Sequence, residues 1–541
     1  MIRPLINVVK SFSTKERLVF IGSFVVLVVC FVLLLSQIIA TTTLSTAGEG
    51  GTYIEGVVGQ PSFINPVLAK PNTPDRDLVA LTFASVKDIS ENIKNDKSFK
   101  TWTIRIKENA RWQDETPITS DDIIFTVQTI QNPDTLSPLF SDWQNIKVSR
   151  ISEREVEFSL PGSYALFDSL LKELRPIPKK IFADLSASNI KLSIYNLEPF
   201  VSGPFAYKSL DKKKDGFITE YELERNDAYR SIGRLPNIDN FVIKFFENED
   251  SLIKEYNLGT IDGFLKTEGI ATDRITINSS IEKIPTNKYY ALFINPNANK
   301  NLASKNLRTA LASAINISSI ITDSFDNYAT AQKGPLPSTV NGYSQNIENY
   351  TSFDQELSKK ILEEIKWKYN EDSLTITIPS NDLLKSVAQK IKDDWQAVGI
   401  QTKIKEIDPQ TINEDVIKTR NYEILLFGNI SSATPDLFSF WHSSQKFYPG
   451  LNLSLYENST VDSLLESLRK IAEYDSKRIE KLEEIQKIIS GELSAIFLVS
   501  PQYLYIHKTS RPGIIIKTIS LPEDRFSQIT DWYVKTKRIF K

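Results

Sequence analysis

An unbroken apolar stretch near the amino terminus constrains this chain before anything else does. Leu18 to Ala40 is 23 residues without a charged side chain, interrupted only by Ser23, Ser36 and Gln37 as clear polar groups. As a helix rising about 1.5 Å per residue, it covers the roughly 30 Å hydrocarbon layer of a bilayer. Lys10, Lys15 and Arg17 precede it, and the next charge after it is Glu49. That asymmetry keeps residues 1–17 in the cytoplasm and sends residues 41–541 across. The run is longer than the about 7–15 apolar residues of a cleaved signal peptide. Its length favours a retained transmembrane anchor over cleavage near Ala40 or Ala47. Cys30 follows Leu27-Val28-Val29 rather than a small residue, so it reads as a membrane cysteine rather than a lipid-attachment site.

About 500 residues lie beyond the anchor, more than one simple core holds, which implies two or three subdomains. The 64 basic and 67 acidic side chains leave a net charge of −3, and no basic face for nucleic acid is implied. Cys30 is the only cysteine, so the exported part has neither a disulfide nor thiol chemistry and depends on burial for stability. Residues 41–52 are small, polar and glycine-bearing, and read as a flexible tether.

Beyond them the hydrophobic period switches repeatedly between two and 3.6. Strands are expected at Tyr53–Val58, Thr101–Ile106, Phe217–Leu223, Asn240–Phe246, Tyr289–Ile294 and Leu374–Ile378. Helices are expected at Asp122–Ile130, Lys305–Ile321, Phe353–Trp367 and Asp382–Val398, and two more carry the stripes Val461-Leu464-Leu465-Leu468 and Ile479-Leu482-Ile485-Ile489. Such alternation is an α/β architecture with several β-α-β units. Thr119 and Asp122 have the spacing of a helix cap, Asp475 or Ser476 can cap the last helix, and Gly399 is placed to end one.

Catalytic patterns are missing. The two histidines, His442 and His507, are far apart, and there is no HExxH, GxxxxGK[ST], GxGxxG or GxSxG. Asp121-Asp122 is better explained by helix capping than by acid/base work, and Trp112, Trp143, Trp395 and Trp441 by packing rather than ligand stacking.

One segment is more specific. Trp112-Gln113-Asp114-Glu115-Thr116-Pro117-Ile118-Thr119-Ser120-Asp121-Asp122-Ile123 resembles the W-x-D-G-x-P-[VI]-T-A-x-D-V signature of bacterial family 5 extracellular solute-binding proteins, the oligopeptide and dipeptide binders of ABC importers. Pro61–Pro66, Ser202-Gly203-Pro204-Phe205, Arg225–Tyr229, Leu307–Asn316 and Val398-Gly399-Ile400 are similar to further family segments, in the family's order. Glu115 replaces the signature's glycine.

The resemblance implies a periplasmic-binding-protein-like two-lobe clamp of type II in its large three-subdomain form, preceded by one transmembrane helix. Domain I would comprise 53–70, 195–290 and 496–541, with domain II at 71–194 and domain III at 291–495. Crossings at Ile284–Asn295 and Leu493–Ser500 would serve as the hinge. A peptide would lie extended between the lobes, held through its own backbone, and the closed form would dock an ABC permease and its ATPase. No cofactor is implied. Carried over residue by residue, Leu68, Ala69, Pro71 and Asn72 would face the ligand from domain I. Phe427, Gly428, Asn429, Ile430, Ser431 and Ser432 would line the cleft from domain III, with Trp441 nearby. Ser432 stands where many relatives have an amine-binding aspartate, and Asp436 is the nearest replacement. A non-peptide solute such as a sugar or metal chelate is the alternative ligand; a membrane-anchored hydrolase or a surface sensor is the alternative role.

Overall fold

The computed structural model describes residues 13–540 except 72, 268–271, 345–346, 348–351, 369–372, 431–435, 512 and 518. The apolar run lies in a helix, Thr14–Thr42, whose most apolar 18-residue window has a mean hydropathy of 3.2 and is not buried. Residues read as a flexible tether are structured instead. Strand β1 (Thr43–Gly48) follows the helix without a linker and, after Gly50 and Gly51 turn the chain at positive φ, β2 (Thr52–Val58) begins.

In chain order the remaining strands are β3 (Ser90–Asn95), β4 (Thr101–Ile106), β5 (Lys147–Ser152), β6 (Glu155–Ser159), β7 (Phe205–Lys212), β8 (Ile218–Arg225) and β9 (Asn240–Phe246). They continue with β10 (Gly263–Lys266), β11 (Ser279–Pro285), β12 (Lys288–Ile294), β13 (Ala329–Ala331), β14 (Ser373–Pro379) and β15 (Gln401–Ile407). The last three are β16 (Ile424–Ile430), β17 (Ala495–Lys508) and β18 (Lys535–Phe540). Strands β3–β6 form an antiparallel sheet of their own, while β1 pairs with β18 in a two-stranded sheet. A long sheet runs β15-β14-β16-β12-β17-β10-β2-β9-β8-β7, with β11 and β13 also on β17.

The composition of β12 explains its place. Every residue from Tyr289 to Ile294 is apolar, as a strand covered on both faces requires. Tyr290, Leu292 and Ile294 enter one core with helices Lys305–Ala314 and Asp382–Ala397. Tyr289, Ala291 and Phe293 enter another with helices Ser459–Leu468 and Ser476–Glu492. A third core joins β2, β4, β6, β8 and β9.

The two parts of the long sheet share one strand. β17 pairs with β12 from Ala495 to Val499, then with β11 from Gln502 and with β10 from Leu504. The change of partner falls at Ser500-Pro501 and, on the other crossing, at Thr286-Asn287. The hydroxyl of Thr286 donates to Pro501 O (2.7 Å), and that of Ser500 to Lys288 O (2.8 Å), which staples the crossings side by side.

The expected Lys305–Ile321 helix is two helices, Lys305–Ala314 and Ile317–Phe325. Asn316 breaks it: its side chain caps the second helix at Ser319 N (3.1 Å), while its own N–H donates to the Asp394 carboxylate (2.8 Å).

Candidate functional site

Parallel strands β2, β9 and β10 end on the same side, where open α/β sheets place ligands. A cavity of about 420 Å³ lies there, lined by Val57 and Val58 of β2, Thr73 and Pro74 at the start of helix Pro74–Thr82, Lys266 of β10, Tyr503 and Lys288. Among its charged groups, Lys266 pairs with Glu249, and Asp77 with Arg525.

Arg525 is the centre of a buried network. Its two terminal nitrogens donate to the two Asp77 oxygens (2.7 Å each), and Nε donates to Glu55 Oε1 (3.0 Å). The Tyr505 hydroxyl donates to the other Glu55 oxygen and lies 2.7 Å from the Tyr53 hydroxyl. One guanidinium thus faces two carboxylates. Burial pushes Glu55 up to about 7, against the pull of Arg525. Asp77 also moves up through burial, opposed by the same guanidinium.

Glu55 therefore takes up a proton on folding between its ordinary carboxylate range and pH 7, so this contribution is full in acid and lost as pH rises through 7. Accordingly, the thermal midpoint should fall between pH 5 and pH 8. Glu55→Gln should flatten that fall; scanning calorimetry at both pH values checks it, and an unchanged slope in the variant would contradict it.

A second candidate surface is β16, the strand beside β12. Its pairing with β12 runs the full length from Lys288↔Ile430 to Ile294↔Ile424. On its other edge β14 covers only Ile424 and Leu425. Among the described residues no strand occupies that edge of Leu426–Ile430. Gly428 fits the crowding here: a Cβ would stand 2.9 Å from the Tyr290 ring and 3.1 Å from the Lys288 stem. Lys288, with its ammonium 4.7 Å from the Tyr290 ring centroid, thus joins this surface to the cavity.

The expected residues separate into groups. Phe427 and Gly428 are half-buried on β16; Asn429 and Ile430 are placed there by backbone pairing alone. Asn72, Ser431 and Ser432 lie outside the described residues. Ala69 and Pro71 border a second cavity of about 820 Å³ with Leu139, Asp142, Trp143 and Asp524, and both Leu68 and Ala69 are buried in the core. Burial, with Glu173 and Glu523 nearby, pushes Asp524 up to about 6. Trp441 requires correction. Its ring is 1% exposed, packed between Tyr456 and Phe497, and offers no face to a ligand.

Asp436 is already engaged. It accepts from Phe438 N (3.1 Å) and pairs with Arg469 (3.2 Å). Arg469 lies over the Phe438 ring at 4.4 Å and the Tyr164 ring at 5.1 Å, and its carbonyl accepts from Ala165 N (2.8 Å). Asp436 and Arg469 therefore belong to a bridge between the β16 side and the segment after β6. Sequence reasoning missed Arg469, Arg525 and Lys288, because only the fold brings them to their partners.

The sequence profile described as bacterial extracellular solute-binding proteins, family 5 Middle, matches residues 84–448, more than half of the chain. The chain belongs to this family. Among relatives of the family 5 receptor, the oligopeptide-binding protein AppA of Bacillus subtilis is 24% identical over 485 residues, covering 84% of this chain and 87% of that one. The probable D,D-dipeptide-binding periplasmic protein DdpA of Escherichia coli is 24% identical over 77% of this chain and 79% of its own. Among solved structures, the ABC transporter substrate-binding protein CtaP of Listeria monocytogenes superposes with a TM-score of 0.75 at 24% identity, over 90% of this chain and all of that one. AppA of Bacillus subtilis with a nonapeptide gives 0.69 at 21%, over 91% and 100%. The family 5 fold is thus a mixed α/β solute-binding architecture throughout the region after the first helix.

Proposed function

We propose that this receptor captures an extended peptide from outside the cell and hands it to an ABC permease, with no catalysis of its own. The edge of Leu426–Ile430, which no strand occupies among the described residues, carries the reading. A peptide adding there as a strand satisfies its backbone groups against β16, while the roomy cavities beside Lys288 and Ala69 take side chains of varied size. Phe427, Gly428 and Asn429 form the backbone wall, and Ala69 and Pro71 border the second cavity. The three-domain division and a hinge at Thr286-Asn287 and Ser500-Pro501 belong to the same reading, with closure selecting the loaded form. Names of the relatives, oligopeptide- and dipeptide-binding, support it.

Helix Thr14–Thr42 acts as a retained anchor in this reading. Cleavage after Ala47 would remove all but one residue of β1 and strip β18 of its partner.

The Asp436–Arg469 pair favours a second ligand class, since a carboxylate already neutralised is a poor anchor for a free amine. A metal chelate or a sugar would not need one. Native mass spectrometry of the purified full chain separates the two: peptide masses on the protein are expected, and a chelate or sugar mass would replace the peptide reading.

A further inference from the structure

The register of β1 on β18 puts the second strand at the membrane. Thr43, the residue after the long helix, faces Phe540, and Leu44 faces Ile539. From Leu18 to Ala40 the apolar run consumes the bilayer's hydrocarbon thickness at about 1.5 Å per residue. Thr43 therefore starts close to the headgroup layer, and its cross-strand partner lies at the same height. Phe540 is 84% exposed, while Leu44 and Ile539 are 51% and 45% exposed as a directly opposed pair. Aromatic and aliphatic side chains at this level suit the interfacial zone, where rings gather.

Charge points the same way. β18 carries Lys535, Lys537 and Arg538, and β1 has no acidic residue. The Lys535 ammonium lies at the Gly50 turn, 3.1 Å from where a Cβ would stand. Lys537 lies on the ribbon, and Arg538 reaches across it to the Thr43 hydroxyl (3.3 Å). All of Lys535–Phe540 is exposed. A six-residue ribbon spans only about 20 Å, too short to let the lobes drift far from the bilayer.

We propose that the β1–β18 ribbon is a membrane-contact surface. Leu44, Ile539 and Phe540 enter the interfacial layer of the outer leaflet, and Lys537 and Arg538 pair with anionic phospholipid headgroups. The receptor then stands on the membrane in a set posture instead of swinging on a leash. The inference rests on the reading of the amino-terminal helix as a retained anchor.

The test uses the full chain in nanodiscs of phosphatidylcholine alone or mixed equally with phosphatidylglycerol. Intact mass first reports whether residues 1–42 are present; their loss overturns the anchor, and this proposal with it. In the anchored protein, a spin label on Phe540→Cys in a Cys30→Ser background reports depth by its accessibility to oxygen against a water-soluble nickel chelate. Oxygen-favoured accessibility, stronger with phosphatidylglycerol and weakened several-fold by Lys537→Glu/Arg538→Glu, is expected. A label equally open to the nickel chelate in both lipids, on protein whose helix is intact, overturns the ribbon contact alone. The charge-reversed variant should melt at the parental temperature, because neither side chain contributes to a core.

Discussion

Replacing Arg525 with alanine is expected to cost about 3–5 kcal/mol of stability, the largest effect of any single side chain in its network. The guanidinium is 2% exposed, and Glu55 and Asp77 behind it are 0% and 9% exposed. Its loss leaves two carboxylates in a core with one tyrosine hydroxyl to share, so at least one must hold a proton or draw in water. The urea midpoint of Arg525→Ala should fall steeply and recover part of the loss in acid, where both carboxylates are neutral. Combining Glu55→Gln and Asp77→Asn with Arg525→Met should restore much of the stability, because the penalty comes from unpaired charge rather than lost packing. A midpoint shift under about 0.5 kcal/mol for Arg525→Ala, the size of an ordinary surface change, would contradict the network's role.

Gly203→Ala is expected to be nearly as damaging for a different reason. A Cβ there would stand 2.4 Å from Thr82 C, 2.5 Å from Phe83 N and 2.7 Å from Thr82 O. All three are backbone atoms, so no rotamer change relieves the contact. The peptide cannot back away either: Gly203 N donates to Thr82 O (2.7 Å), and Gly203 O accepts from the Asn226 side chain (2.8 Å). Forcing a methyl into that space should cost about 1–3 kcal/mol. Gly162→Ala, with nothing within 4 Å of the added carbon, is the matched control and should be near neutral. Equal melting temperatures for the two variants would show that the close approach at Gly203 is not a constraint.

Much of this fold is legible in the sequence because its strands and helices advertise themselves. Alternation predicts strands at residues 240–246 and 101–106 with the observed bounds, and Asp382–Ala397 differs from expectation by one residue. Thr119 and Asp122 do meet at a helix start, with Thr119 N donating to the carboxylate at 2.9 Å. Less local features are hidden. Ile315 is fully buried and continues the helical spacing, so periodicity runs straight through the break that Asn316 and Asp394 impose. The small, polar residues of β1 carry no strand signal, since their order comes from β18, roughly 490 positions away by the register. One warning is available at the site: Tyr53, Glu55 and Val57 share one face of an alternating strand. A glutamate in that inward series requires a buried partner, although nothing local says it is Arg525.

A peptide is expected in the cavity-lined junction beside β16. Titration calorimetry of the full chain in nanodiscs, stripped of copurified solute and mixed with a defined pool of unmodified peptides, tests it most directly. Saturable heat at one peptide per receptor is predicted, weakened by Gly428→Val, whose branched side chain would collide with the Tyr290 ring and the Lys288 stem and displace the β16 backbone the peptide needs. Saturable heat with a metal chelate or sugar, and none with any peptide pool, would contradict it.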